Sequence, residues 1–191
     1  MRFSHIPALC LCLMLTACAV ENGQQLASTF DSGVAAYDAG DKAKAFDIWS
    51  GIADQDVAAM RNVAMMLRRG DGVKQDLPGA EAMYRRAAEA GLPTAQADLA
   101  DMLLKGEVNG APNPKAALPL LQAAAAANHP IAQYQLAQMY ESGQDGLVPK
   151  DPVAARDLYA AAAEHGMAQA AERLKVLGGP AAGPGQRAAP P

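Results

Sequence analysis

The chain has 191 residues, 16 basic and 20 acidic side chains, a formal net charge of −4 and 51% hydrophobic residues. Alanine supplies 44 of them and aromatics only 5% of the chain, so stability must come from many close helix contacts, since a buried leucine contributes about 1.5–3 kcal/mol and an alanine methyl far less. The length allows one domain or a short repeat array. The acidic balance without a basic block excludes a general nucleic-acid binder, and the confinement of all three cysteines to Cys10, Cys12 and Cys18 excludes a disulfide framework or cysteine-rich zinc site downstream.

Arg2 supplies a positive start, and Ile6 to Ala17 is an uncharged apolar stretch. It is shorter than the ~20 residues of a spanning helix and reads as the core of a secretory signal peptide over residues 1–17. The stretch closes with Leu15-Thr16-Ala17-Cys18, which resembles the bacterial lipobox. That resemblance implies that the Cys18 thiol takes a diacylglyceryl group, that residues 1–17 are removed, and that the new amino terminus is acylated. Several acyl chains anchor stably where one is marginal. Alanine rather than aspartate at position 19 implies, by resemblance to enteric lipoproteins, an outer-membrane protein facing the periplasm. Ala17-Cys18-Ala19 also fits ordinary signal-peptidase cleavage, which leaves a secreted or periplasmic soluble product as the alternative. Cys10 and Cys12 fall in the discarded segment as small apolar fillers.

Residues 18–27 are polar and lack helical periodicity, which predicts a flexible tether. A repeat domain follows over 28–177. The anchors Val63, Leu99 and Leu136 are spaced by 36 and 37 residues, and Leu174 follows 38 later, a period that indicates a solenoid of helical pairs. The pairs are expected at 28–55, 59–91, 95–128 and 132–166, with a capping helix at 170–177. In the first helix of each unit the anchor is followed by alanine and then a bulky residue: Val63-Ala64-Leu67, Leu99-Ala100-Leu103 and Leu136-Ala137-Tyr140. The alanine permits close approach of the partner helix. Gly70, Gly106 and Gly143 fit left-handed helix ends, and Asp76, Asn113 and Asp151 fit N-caps of the second helices, with Pro114 and Pro152 at the first helical position. Gly91, Asn128 and Gly166 fit the turn into the next unit. The extra residues of the longer periods fall in the loops containing Asn109–Ala111 and Asp145–Val148, where they lengthen a surface loop.

The spacing Gly70-Asp71-Gly72-Val73, Asp76, Ala80, followed by Tyr84, Ala87-Ala88 and Gly91, resembles the Sel-like repeat of the tetratricopeptide clan. The resemblance implies an all-α fold, a right-handed α/α solenoid of tetratricopeptide/Sel-like helical hairpins. The first pair, Phe30–Gly40 and Asp41–Gln55, is similar to an ordinary tetratricopeptide hairpin, and Gln55 replaces the usual glycine, so that turn is expected to differ. Trp49 is expected to pack within this pair. Pro119 removes a backbone donor at a cost of ~3 kcal/mol in a helix interior, which predicts a late start or a kink there. Gly178 to Pro191 is almost entirely Gly, Pro and Ala and predicts a disordered tail.

Chemistry-bearing motifs are absent from the sequence: there is no H-E-x-x-H, G-x-S-x-G or P-loop. His129 and His165 sit in turns and read as surface or capping residues rather than metal ligands. Pairs such as Asp98/Asp101 read as solvated charges, and Met66, Met102 and Met139, at one repeat offset, as packing between units. No metal and no cofactor is expected. Some cysteine-rich Sel-like proteins act on β-lactams, but the cysteines and a Ser–Lys pair are missing here. In the related tetratricopeptide geometry a concave groove is lined by first-helix positions. Carried over, these are Arg61, Met65, Arg68 and Arg69 in one unit, Ala97, Asp101, Leu104 and Lys105 in the next, and Tyr134, Gln138 and Glu141 in the third. Arginines there suit carboxylates, Tyr134 gives amphipathic contact area and Met65 adaptable apolar contact. The sequence therefore reads as a non-enzymatic scaffold or adaptor, lipid-anchored in the bacterial envelope, that holds a protein or peptide partner in the groove and touches the membrane only through its lipid. The alternatives are a peptidoglycan- or glycan-associated binding protein or enzyme, and a secreted interaction factor.

Overall fold

The computed structural model describes residues 8–179, with side chains from residue 22 onward. The expectations for the Cys18 side chain, the start of the signal peptide and the tail beyond Gly179 lie outside these. The described residues are helical throughout, without strands, and the chain divides into two compact units, Met1–Asp76 and Leu77–Pro191.

The first unit holds α1 (Ala8–Asp38), α2 (Lys42–Ile52) and α3 (Val57–Arg69). Residues 19–27, expected as a non-helical tether, belong to α1. No proline interrupts this stretch, so the helix propagates backward from its packed half at one hydrogen bond per residue. The Thr29 and Ser32 hydroxyls bond back to the Gln25 and Ser28 carbonyls, each at 2.9 Å. Trp49 of α2 is buried, stacks between Phe30 and Tyr37 at 6.0 and 5.8 Å, and donates its indole N–H to the Phe30 carbonyl at 3.2 Å. Gly33 faces the indole so closely that any Cβ would overlap it. The turn at Gln55 does differ from the others. The Gln55 and Asp56 amides both bond the Ile52 carbonyl at 2.9 Å, no residue of that turn takes positive φ, and Asp56 caps α3 through the Ala59 amide at 2.8 Å.

The second unit holds α4 (Leu77–Glu89), α5 (Pro93–Lys105), α6 (Pro114–Ala126), α7 (Pro130–Ser142), α8 (Pro152–Glu164) and α9 (Ala168–Val176). Each helix packs mainly on its neighbours in the chain, the pattern of stacked hairpins. Gly106 and Gly143 end α5 and α7 at φ 66° and 80°, as Gly70 ends α3 at 75°. At Gly106 a side chain would also strike the Ala111 carbonyl. The loops then close identically. The amides of Asp76, Asn113 and Asp151 bond the carbonyls of Leu67, Leu103 and Tyr140 at 2.9, 2.8 and 2.9 Å. Asn113 caps α6 through the Ala116 amide, and Asp151 caps α8 through those of Val153 and Ala154. Gly91, Asn128 and Gly166 turn the chain at φ 87°, 62° and 85°.

Alanine allows this close stacking: Ala100, Ala117, Ala124, Ala132, Ala137, Ala155 and Ala162 are wholly buried. Met66, Met102 and Met139 are buried too, as their shared offset predicts. Two local expectations need correction. Helix α6 starts at Pro114, without delay, and runs unbroken through Pro119. The carbonyl that Pro119 leaves without its intrahelical donor belongs to Lys115, and both residues are exposed, on a side of the helix where solvent compensates a missing donor. The loop after α7 is more than a surface extension, because Val148 is buried and joins the core of α5, α6 and α7.

Candidate functional site

In the second unit a cavity of about 460 Å³ opens between α7, α8 and α9, lined by Tyr134, Gln138, Glu141, Ser142, Tyr159 and Arg173. Three of the sequence-predicted positions, Tyr134, Gln138 and Glu141, thus converge. Their one-turn spacings on α7 place them on a single face, and Ala137 behind them is wholly buried against the α8 core, which fixes that face outward.

Glu141 is the anchor of this wall. It accepts the Tyr159 hydroxyl at 2.8 Å on Oε2, and Arg173 donates to both its oxygens, from Nε to Oε2 at 3.1 Å and from Nη2 to Oε1. The Arg173 hydrogen bonds, and then that of Tyr159, hold its carboxyl below the usual glutamate range against the opposing effect of burial. Burial, reinforced by the Glu141 carboxylate, pushes the Tyr159 phenol far above its ordinary value, so it stays a neutral donor. The Tyr134 ring meets Tyr159 edge-on at 5.4 Å. Glu141 thus lines the cavity with its carboxylate partnered inside the protein, where it holds Tyr159 and Arg173 in place. Exposed Gln138 and half-buried Tyr134 carry the accessible polar and aromatic surface.

Asp101 and Lys105 pair along α5 at 2.8 Å, and Gln135 of α7 donates to Asp101 at 3.3 Å, so one acidic group stitches α5 to α7. Leu104 is partly buried against the core, and Ala97 is buried in it. Ala97 is thus a core residue and lines no groove; its methyl fills the space where α5 meets its neighbours. Arg61, Met65, Arg68 and Arg69 lie on α3 in the first unit at i, i+4, i+7 and i+8, one helical face. Arg69 is exposed and the other three are half-buried, and the Arg68 carbonyl accepts the Gln75 amide at 2.9 Å. At the end of α3, Asp71 receives Lys42 Nζ and the Tyr37 hydroxyl, each at 3.0 Å. These bonds, Lys42 first, lower the Asp71 carboxyl and raise the Lys42 amine.

Ser142, Tyr159 and Arg173 are the wall residues that sequence reasoning missed. Tyr159 shares the Ala-x-x-x-Tyr pattern with Tyr84, a signal of packing. Arg173 stands 32 residues from Glu141, and Gln135 occupies its place one repeat earlier, so the repeat pattern does not announce the ion pair. Among the described residues no group of three or more His, Cys, Asp or Glu side chains is placed to hold a metal, and no helix is long and apolar enough to cross a membrane. His129 caps α7 through the Ala132 amide, and His165 Nδ1 meets the Ala161 carbonyl at 2.7 Å, which gives both histidines capping work.

Stacked helical hairpins define an α-solenoid repeat protein. The Sel1 repeat model matches residues 57–92, 93–129 and 130–167, more than half of the sequence. The chain belongs to the Sel1 repeat family, whose fold commonly mediates contacts between proteins. Among solved structures it is similar to c5321, a protective antigen of uropathogenic Escherichia coli with an SLR fold, at 28% identity and a TM-score of 0.72 over 80% of this chain and 33% of that one. It is also similar to a Sel1 repeat protein of Oxalobacter formigenes, at 30% identity and a TM-score of 0.71, covering 77% of this chain and 59% of that one. The chain therefore spans about a third and under two thirds of these relatives. No curated protein matches it.

Proposed function

We infer that this protein is a non-enzymatic scaffold or adaptor of the bacterial envelope, held by lipid on Cys18 at the outer membrane and facing the periplasm, that binds a protein or peptide partner. The α7–α9 cavity carries this reading: an aromatic ring and an amide lie on a wall stiffened by the Glu141–Tyr159–Arg173 node. A preorganised wall lowers the ordering cost of binding, and an aromatic beside hydrogen-bonding groups is the composition of an interface core. The Arg61, Met65, Arg68 and Arg69 face offers a second, basic stretch suited to carboxylates. The lipobox resemblance supports the address.

The test is crosslinking in cells followed by recovery of the tagged protein and mass spectrometry of what comes with it. A polypeptide recovered with the wild type and lost with Tyr134→Ser/Gln138→Arg supports the cavity, and loss with Arg61/Arg68/Arg69→Glu supports the α3 face. Recovery unchanged by either variant moves the site elsewhere. For the anchor, Cys18→Ser should abolish labelling by radioactive palmitate and release the protein from membranes. Normal processing of that variant, with the wild type unlabelled, would favour the soluble route.

A further inference from the structure

A second opening lies away from the α7–α9 wall. It is a cleft of about 440 Å³ walled by α4 and α6 and floored by α5, with Leu99 and Leu103 beneath and Ala116, Pro119 and Leu120 on the α6 side. Its α4 rim carries Glu81, Arg85 and Glu89. Arg85 is paired with Glu81 along the helix, whereas Glu89 is exposed and belongs to no ion pair among the described residues, leaving the rim with one uncompensated negative charge.

The next joint along the stack carries different side chains at the matching positions. One period on, Leu118 stands where Glu81 stands, Tyr140 where Leu103 stands, and Leu158 where Leu120 stands. All three pack against the apolar core there, with Leu147 of the loop. At that joint Glu89 is replaced by Ala126. The rim carboxylates thus belong to the α4–α6 joint, whose cleft Pro119 also lines. Burying a carboxylate among leucines is costly, so the exposed Glu89 keeps its edge of the rim in water, while the half-buried Leu103 and Leu120 leave apolar surface open to a guest.

We propose that this α4–α6 cleft is a docking site for a peptide segment that presents one large apolar side chain followed by a lysine or arginine. The side chain enters over Leu103 and Leu120, a volume suited to an aromatic ring, and the cation meets Glu89 at the rim, where like-charged sequences are repelled. Pro119 supports this use, because a ring on the exposed side of α6 extends the apolar wall without a donor N–H. The site does not depend on the α7–α9 wall and serves as a separate contact.

The test uses the full chain in detergent micelles, labelled with ¹⁵N, and three end-capped probes: Gly-Ser-Phe-Lys-Ser-Gly, the same peptide with Phe-Glu, and the same with Ser-Lys. The Phe-Lys probe should shift the amides of Ala88, Leu103 and Leu120 saturably, and the other two should bind at least about threefold more weakly, the scale of one partly exposed ion pair or one apolar anchor. Glu89→Lys, on the exposed side of α4, should weaken the Phe-Lys probe about three- to tenfold. Ala116→Phe, which fills the cleft, should abolish its shifts. If the filled variant does not fold, Glu89→Lys decides. Equal binding of the Phe-Glu probe, indifference to Glu89→Lys, or no shift at the cleft up to millimolar probe would overturn the proposal. Shifts confined to Tyr134, Gln138 and Arg173 would overturn it while leaving the α7–α9 reading intact.

Discussion

At the scale of single residues, the same substitution should have opposite signs at two glycines only 18 positions apart. A Cβ on Gly33 overlaps the Trp49 indole, whereas one on Gly51, in α2, meets nothing within 4 Å. Gly33→Ala should destabilise by about 1–3 kcal/mol through overpacking, and Gly51→Ala should stabilise by about 0.5–1 kcal/mol through helix propensity, both read from urea unfolding midpoints. Equal effects would mean that the indole does not sit where described. The Glu141 node makes a second prediction. Tyr159→Phe should cost about 1–2 kcal/mol, since it removes one charge-assisted bond and leaves Arg173 in place. Because the folded Glu141 carboxyl is lowered by Arg173 and Tyr159, its contribution is full above the unfolded glutamate value of about 4.3 and is lost as pH falls through the lower folded value. The stability gap between wild type and Glu141→Gln should therefore shrink on acidification from pH 7 to pH 3; a gap that widened would contradict the node. Trp49 was legible in the sequence as a packing residue because a lone indole beside Phe30 and Tyr37 has few other uses. Arg173 was not, since an ion pair across 32 residues leaves no local pattern.

At the scale of elements, the caps and turns were legible because each is a short-range rule: a left-handed glycine, an Asn or Asp acceptor, a proline at the first helical position. What escaped was decided by solvent and tertiary contact. Pro119 was expected to delay or bend its helix. The helix runs through it on an exposed side, Lys115 and Pro119 both lying at the surface. Pro119→Ala restores that bond and should stabilise by about 1–2 kcal/mol in urea unfolding, less than the ~3 kcal/mol of a buried interior proline because water already serves the carbonyl and proline restricts the unfolded chain. No gain would show that the α6 backbone is distorted there after all. Gln96 and Gln133, also unforeseen, reach back from the first turns of α5 and α7 to the Ala88 and Ala125 carbonyls at 3.2 and 3.4 Å, supplying donors to the carbonyl-rich ends of α4 and α6. Residues 19–27 were misjudged because periodicity signals an amphipathic helix, and α1 there needs no buried stripe to continue.

At the scale of the whole molecule, the period of 36 to 38 residues set the architecture before any local detail, since hairpins that cannot bury their faces alone must stack. In the second unit α9 packs on α8, with Ala170 wholly buried and Glu172 and Lys175 paired in solvent. The candidate site was half legible. Repeat position placed Tyr134, Gln138 and Glu141 on one wall, but whether a position faces outward or is tied down depends on the neighbouring helix, as Ala97 and Glu141 show. The central claim is that the α7–α9 wall receives a protein partner, and site-specific photocrosslinking from Gln138 in living cells tests it most directly. A photoreactive residue at Gln138 should give a discrete crosslinked polypeptide that the same residue at exposed Ala126 on α6 does not give. An identical crosslinking pattern from both positions, or no product from Gln138, would contradict the account.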